Sequence, residues 1–121
     1  MNKNGLYAFY GTLRNGMENH LLYKSGMVFL ESVALPGFCL YSAGEYPYAV
    51  RSPMPHRIIQ ADLFKITDPI VAEAIHAMEL EVDYFYDEVD VKGTAYGIYL
   101  FPAPRVHDAE IVSGDWVQYI A

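Results

Sequence analysis

Strand-like runs that turn straight back on themselves, with one definite helix among them, limit this chain most. Residues 5–10, 27–33, 37–41, 48–50, 58–66, 86–92 and 95–101 are apolar or alternate with the two-residue period of a strand. Pro36-Gly37, residues 42–47 and Gly93-Thr94 read as turns between them. Ser52-Pro53-Met54-Pro55 reads as a break, because proline gives no N–H to a ladder. The helix starts at Asp68-Pro69, a capping side chain followed by a proline suited to the first helical position. Ile70, Val71, Ala74, Ile75 and Met78 then form its apolar face. Strands joined mostly as hairpins, without repeating strand–helix–strand units, predict an α+β fold with a mixed or antiparallel sheet, curled toward a barrel.

No linker-like segment or internal repeat divides the 121 residues, so residues 1–121 read as one domain. Apolar residues make up 53%, enough to build a core. The net charge of −7 has its 8 Lys and Arg scattered, which argues against a nucleic-acid partner, since phosphate backbones need a basic face. No apolar run is long enough for a membrane helix, and no signal-peptide pattern precedes the first strand. Cys39 is the only cysteine, which rules out an intrachain disulfide and a cysteine-based zinc site. The expectation is a cytoplasmic protein acting on a small molecule, with the oligomeric state open. Eleven tyrosines, each needing a partner for its hydroxyl when buried, suggest a pocket or interface with polar points in apolar walls.

Three stretches bear on chemistry. Tyr10-Gly11-Thr12-Leu13-Arg14 follows the first strand; a glycine there lets the backbone approach a ligand, and successive N–H groups can hold an anion. A plain turn is the simpler reading of the pattern alone. Met78-Glu79-Leu80-Glu81-Val82-Asp83-Tyr84 ends the helix with two carboxylates that project differently. One of them, half-buried, would have a raised pKa suited to a general base; two solvated glutamates is the simpler reading. The acidic run Asp83, Asp87, Glu88, Asp90 reads as a solvated face. His20, His56, His76 and His107 have no metal-ligand spacing, and His20 is given a supporting role near the first loop.

Taken in order, these stretches resemble the γ-glutamylcyclotransferase-like family, which includes the AIG2-like proteins. The resemblance rests on Tyr10-Gly11-Thr12-Leu13-Arg14, Asn19-His20, Pro36-Gly37-Phe38, residues 44–50, Ala61-Asp62-Leu63-Phe64, Leu80-Glu81 and Ser113-Gly114-Asp115-Trp116. It implies a small mixed β-barrel flanked by helices. It also implies conversion of a γ-glutamyl amino acid or γ-glutamylamine to 5-oxoproline and free amine, with no cofactor and no metal. On that reading Glu81 is the acid/base, with Glu79 and Asp83 as alternatives. Tyr10, Gly11, Thr12 and Leu13 bind substrate, and Tyr84 and Tyr86 close the pocket. The chain departs from the family pattern where Val82-Asp83 replaces a glycine after the glutamate, and where Asp87-Glu88 replaces an arginine after the tyrosine. A non-catalytic binding or interaction module that keeps the pocket is the rival reading. An inward-facing, desolvated carboxylate opposite the 10–13 loop favours the enzyme.

Overall fold

The computed structural model describes residues 2–54 and 56–121, so the expected break at Ser52-Pro53-Met54-Pro55 falls outside the described residues at Pro55. Eight strands and three helices follow one another: β1 (Leu6–Phe9), α1 (Glu18–Tyr23), a 3₁₀ turn at Lys24–Gly26, β2 (Met27–Pro36), β3 (Phe38–Ser42), β4 (Pro47–Arg51), β5 (Ile58–Ile66), α2 (Pro69–Glu81), β6 (Phe85–Val91), β7 (Thr94–Leu100), β8 (Ala109–Glu110) and α3 (Trp116–Ile120). They form a five-stranded sheet in the order β2-β5-β1-β7-β6 and a three-stranded sheet in the order β4-β3-β8. Only β1 and β7 run parallel, with Tyr7 beside Gly97; the other ladders are antiparallel.

The fold is the expected α+β class with a curled, mixed sheet, but the barrel does not close. Just past β7, Phe101 N–H donates to Ala49 C=O of β4 at 3.0 Å. Pro102 follows, and proline cannot extend a ladder. The five-stranded sheet has β2 and β6 at its edges. Its junction with the second sheet is completed by a side chain: the buried Tyr10 hydroxyl accepts from Ala49 N–H at 3.0 Å and donates to Tyr99 C=O at 2.6 Å. The core lies between the two sheets and α2, with Tyr7, Phe38, Leu40, Tyr48, Phe64, Ile75 and Ile98 almost fully buried.

Two local expectations are corrected. The β6–β7 turn is Lys92-Gly93, not Gly93-Thr94: both residues have positive φ (53° and 85°), the requirement of the tight two-residue hairpin, and Val91 pairs with Thr94. On α2 the expected apolar face packs inward except at its first residue. Ile70 is 75% exposed while Ile75 is fully buried. Asp68 caps the helix as expected, accepting from Ile70 N–H at 2.9 Å.

The C-terminal segment is held by a close approach at Gly114. It adopts φ +70°, a β-carbon there would overlap the Ile58 carbonyl oxygen, and its own carbonyl accepts from Gln60 N–H at 2.8 Å. Gly114→Ala should therefore lose at least about 2 kcal/mol of stability, through both the φ penalty and the displaced β5 edge. Urea unfolding of the two proteins checks this.

Candidate active site

A cavity of about 220 Å³ opens at the C-terminal end of β1. One wall is the loop that leaves β1, with Tyr10, Gly11, Thr12 and Leu13. A second is the last turn of α2 with Met78, Glu79 and Val82, followed by Tyr84. Residues 45–47 and Tyr99 complete it, and Glu18 and Asn19 of α1 stand at its edge.

The loop is built tightly. Gly11 is there for space: a β-carbon would meet the Pro47 ring at 2.7 Å, so only glycine lets the start of β4 pack against the end of β1. Arg14 N–H donates back to Gly11 C=O at 3.0 Å, and Asn19 and His20 N–H both reach Thr12 C=O, at 3.0 and 3.3 Å. Asn19 Nδ2 donates to Thr12 Oγ1 at 2.8 Å, which leaves the threonine proton free to point elsewhere. The N–H groups of Gly11, Thr12 and Leu13 find no acceptor among the described residues. That supplies a short run of main-chain donors at the cavity wall, the arrangement that holds carboxylates and oxyanions.

Arg14 does not line the cavity. It anchors the loop from behind, donating to buried Asp62 through Nε at 3.3 Å and Nη2 at 3.4 Å, and to Asp115 through Nη1 at 2.9 Å. Asp62 also accepts from Asn15 N–H at 2.9 Å and from the Ser32 hydroxyl at 2.7 Å, so its carboxylate is fully engaged. His20 is buried in the supporting role expected. Its Nδ1 accepts from Gly16 N–H at 3.0 Å, and burial lowers its pKa, which keeps the ring neutral and able to accept.

On the opposite wall the structure places Glu79, not Glu81. Glu81 is the exposed last residue of α2, and neither it nor Asp83 lines the cavity. Asp83 lies exposed at φ 73° beyond the helix, 3.8 Å from Arg105. The reason is helical phase. A residue advances about 100° around the axis, so a two-residue error moves a side chain to the far face. The assignment of Glu81 rests on the family resemblance; the buried part of the apolar face, Val71, Ile75 and Met78, arrives at Glu79 instead. Ile75, four residues before Glu79, was the available signal.

Burial raises the Glu79 pKa from 4.5 to about 7, and no donor among the described residues reaches its carboxylate. Three tyrosines crowd it electrostatically, Tyr10, Tyr84 and Tyr99, and burial pushes each of their pKa values up. Their hydroxyls are engaged elsewhere: Tyr10 on Tyr99 C=O, Tyr84 on Pro47 C=O, and Tyr99 with His76 Nδ1 at 2.8 Å. Of the expected substrate contacts, Tyr10, Gly11, Thr12, Leu13 and Tyr84 come together here. Tyr86 does not line the cavity. Its hydroxyl donates to Glu88 at 2.7 Å and its ring packs edge-on against Tyr99 at 5.6 Å. Glu18, Asn19, Glu45, Tyr46 and Tyr99 had no assigned part in the sequence reading, because loops distant in sequence bring them to the rim. No group of three or more potential metal ligands occurs among the described residues, and no helix among them is long and apolar enough to cross a membrane.

Fold and cavity thus define a small α+β domain built around a carboxylate and a facing loop of main-chain donors. Residues 7–118 match the model of the family described as gamma-glutamyl cyclotransferase, AIG2-like, and the chain belongs to that family. A Vibrio cholerae protein named "Putative gamma-glutamylcyclotransferase" is 28% identical over 116 residues, spanning 95% of this chain and 97% of that protein. The crystal structure of an uncharacterized protein from Pyrococcus horikoshii superposes with a TM-score of 0.79 at 28% identity, covering 95% of this chain and 92% of that one. Kluyveromyces lactis allophanate hydrolase shares the fold, with a TM-score of 0.79 at 16% identity; the match covers 98% of this chain and 21% of that much longer protein.

The raised Glu79 pKa has a consequence for stability. The folded protein binds this proton more tightly than the unfolded chain, so the stabilisation is complete below about pH 4.5 and is lost as pH rises to about 7, where Glu79 must ionise inside the cavity. Glu79→Gln should therefore match the wild type at low pH and exceed it above neutrality by about 2 kcal/mol, a figure reduced for the cavity's opening to solvent. Chemical denaturation at several pH values reads the difference directly.

Proposed function

We propose that the protein is a γ-glutamylcyclotransferase-type enzyme that converts a γ-glutamyl amino acid or γ-glutamylamine to 5-oxoproline and the free amine, with Glu79 as its acid/base. The observation that carries this reading is Glu79 itself: a half-buried carboxylate lining a cavity, without a donor, with its pKa raised to about 7, in the same cavity as the Gly11–Leu13 donors. A structural carboxylate in such surroundings would be paired, as Asp62 is. Membership of the family and the likeness to the Vibrio cholerae protein support the same chemistry.

The reaction needs little from the protein beyond placement and one proton carrier. The substrate's α-amine attacks its own γ-carbonyl, and folding the glutamyl chain in a confined space supplies much of the acceleration. Glu79 takes the proton from the attacking nitrogen and returns it to the departing amine as the old amide bond breaks. Atoms balance without water, metal or redox partner. The N–H groups of Gly11, Thr12 and Leu13, with the free Thr12 proton, hold the substrate's α-carboxylate or the oxygen that gathers charge at the tetrahedral stage. A carboxylate with a pKa of about 7 suits a two-way transfer, since both of its forms are populated near neutrality.

The test is 5-oxoproline release from a panel of γ-glutamyl amino acids and amines. Glu79→Gln should lower kcat/KM by at least about 100-fold, the usual scale of a lost acid/base, while Glu81→Gln leaves it unchanged. The wild-type kcat/KM should rise with pH and level off above about 7 as Glu79 ionises. Loss in Glu81→Gln with retention in Glu79→Gln would reverse the assignment. Absence of release from every substrate by folded protein would favour a binding module.

A further inference from the structure

Of the three tyrosines beside Glu79, two are locked. Tyr10 and Tyr84 donate to the backbone carbonyls of Tyr99 and Pro47, and a carbonyl can only accept. Tyr99 is different. It lines the cavity at 3% exposure, and its hydroxyl lies 2.8 Å from His76 Nδ1, a nitrogen that accepts when bare and donates when protonated. His76 stands one helical turn before Glu79 on α2, so one helix carries both the carboxylate and the ring that holds a tyrosine beside it. The His76 ring is half-buried, and its Nε2 has no partner among the described residues.

Few charged or titratable groups face this pair. Tyr86 of β6 packs edge-on to the His76 ring at 6.4 Å and to Tyr99 at 5.6 Å, with its own hydroxyl spent on Glu88. Tyr7 of β1 stacks on Tyr99 at 6.4 Å. Glu73 and Glu79 lie one turn to either side of His76 on α2, Glu73 exposed and Glu79 lining the cavity. No lysine or arginine lines the cavity. Burial, with Tyr7 and Glu79 adding to it, pushes the Tyr99 pKa up, so Tyr99 keeps its proton and always has one to donate.

That proton has two destinations. With Nδ1 bare, the hydroxyl donates to the ring, and Glu79 is left without a donor. With Nδ1 protonated, the ring donates, the Tyr99 oxygen accepts, and the hydroxyl proton must turn away from the ring. The charge it then meets is that of Glu79. Resting on the reading of Glu79 as the acid/base, we propose that His76 is a positioning residue that regulates this site: its protonation reverses the hydrogen bond to Tyr99 and turns the tyrosine proton toward the Glu79 carboxylate. No covalent bond between heavy atoms changes; one proton enters from solvent at the imidazole. A carboxylate that gains a hydroxyl donor holds its charge more readily. Protonated His76 therefore keeps Glu79 ionised, and able to take the α-amine proton, further into acid.

Isotope-edited NMR of the Glu79 side-chain carboxyl, followed through a pH titration, reads the coupling without any substrate. His76→Asn sets an amide near the place of Nδ1, able to hold the hydroxyl but not to titrate. Tyr99→Phe removes only the hydroxyl. In both variants the Glu79 midpoint should rise by about half a pH unit over the wild type, the scale of one hydroxyl donor present for part of the titration. The rate should follow. For 5-oxoproline release, kcat/KM of His76→Asn should equal the wild type at about pH 8 and fall about threefold below it at about pH 6. A loss by the same factor at both pH values would make His76 a structural residue and overturn the proposal. An unchanged Glu79 midpoint in the two variants would overturn it as well, whether or not product is released. A shifted midpoint with no 5-oxoproline from any substrate would uphold the coupling of His76, Tyr99 and Glu79 and overturn the cyclotransferase reading instead.

Discussion

The cavity loop is held from behind by a half-buried arginine, Arg14. Asp62 sits in the middle of β5 at 3% exposure, where an unpaired carboxylate would be costly. Arg14 satisfies it from the β1–α1 loop and reaches on to Asp115, which in turn caps α3 by accepting from Gln118 N–H at 3.1 Å. One guanidinium thus joins the cavity loop, the sheet and the C-terminal helix, using the planar fork that a lysine lacks. Asn15 N–H and the Ser32 hydroxyl complete the Asp62 shell. Gly114 completes the other side, since its close approach to Ile58 sets Asp115 within reach. With the loop fixed in this way, its N–H groups at Gly11–Leu13 stay free of internal partners.

The contrast between Asp62 and Glu79 separates scaffold from site. Both are carboxylates withdrawn from bulk water, Asp62 almost fully and Glu79 in part. Asp62 is surrounded by donors, whereas Glu79 has tyrosines around it whose hydroxyls bond to backbone carbonyls or to His76. Those hydroxyls tie the walls together: Tyr10 joins the two sheets, and Tyr84 fastens the end of α2 to the β3–β4 loop at Pro47. The apolar and aromatic wall removes water from Glu79, and the shared use of tyrosine hydroxyls elsewhere denies it a replacement. A desolvated carboxylate with a pKa of about 7 is the result. The tyrosine-rich composition therefore serves the cavity mainly as structure, by closing the walls around one acid.

Much of the fold was legible from periodicity, and the reason is local. The limits of β5, the Asp68 cap of α2 and the alternation of β6 follow from side-chain patterns within a few residues. The loop Tyr10–Leu13 and Tyr84 were legible as pocket residues, because a glycine after an apolar strand and a tyrosine after a helix end are themselves local signs. Glu79 was within view as an alternative to Glu81, since an amphipathic stripe that includes both Ile70 and Ile75 does not by itself say which of the two glutamates turns inward. Tyr86 failed for a similar reason: its place depends on which element packs against it.

What the sequence determined by itself was the order of strands β1 to β7 with helix α2 among them, the α+β class, and the family, since these rest on short-range patterns and on motifs in a fixed order; β8 and α3 were not read from it. Tertiary structure alone decided which glutamate lines the cavity, that Gly11 makes room for Pro47, and that Glu18 and Glu45, far apart in sequence, line the same cavity. Those outcomes come from contacts between segments far apart in the chain. The rotation of α2 is set by the partner that buries Ile75, and no local pattern carries that information.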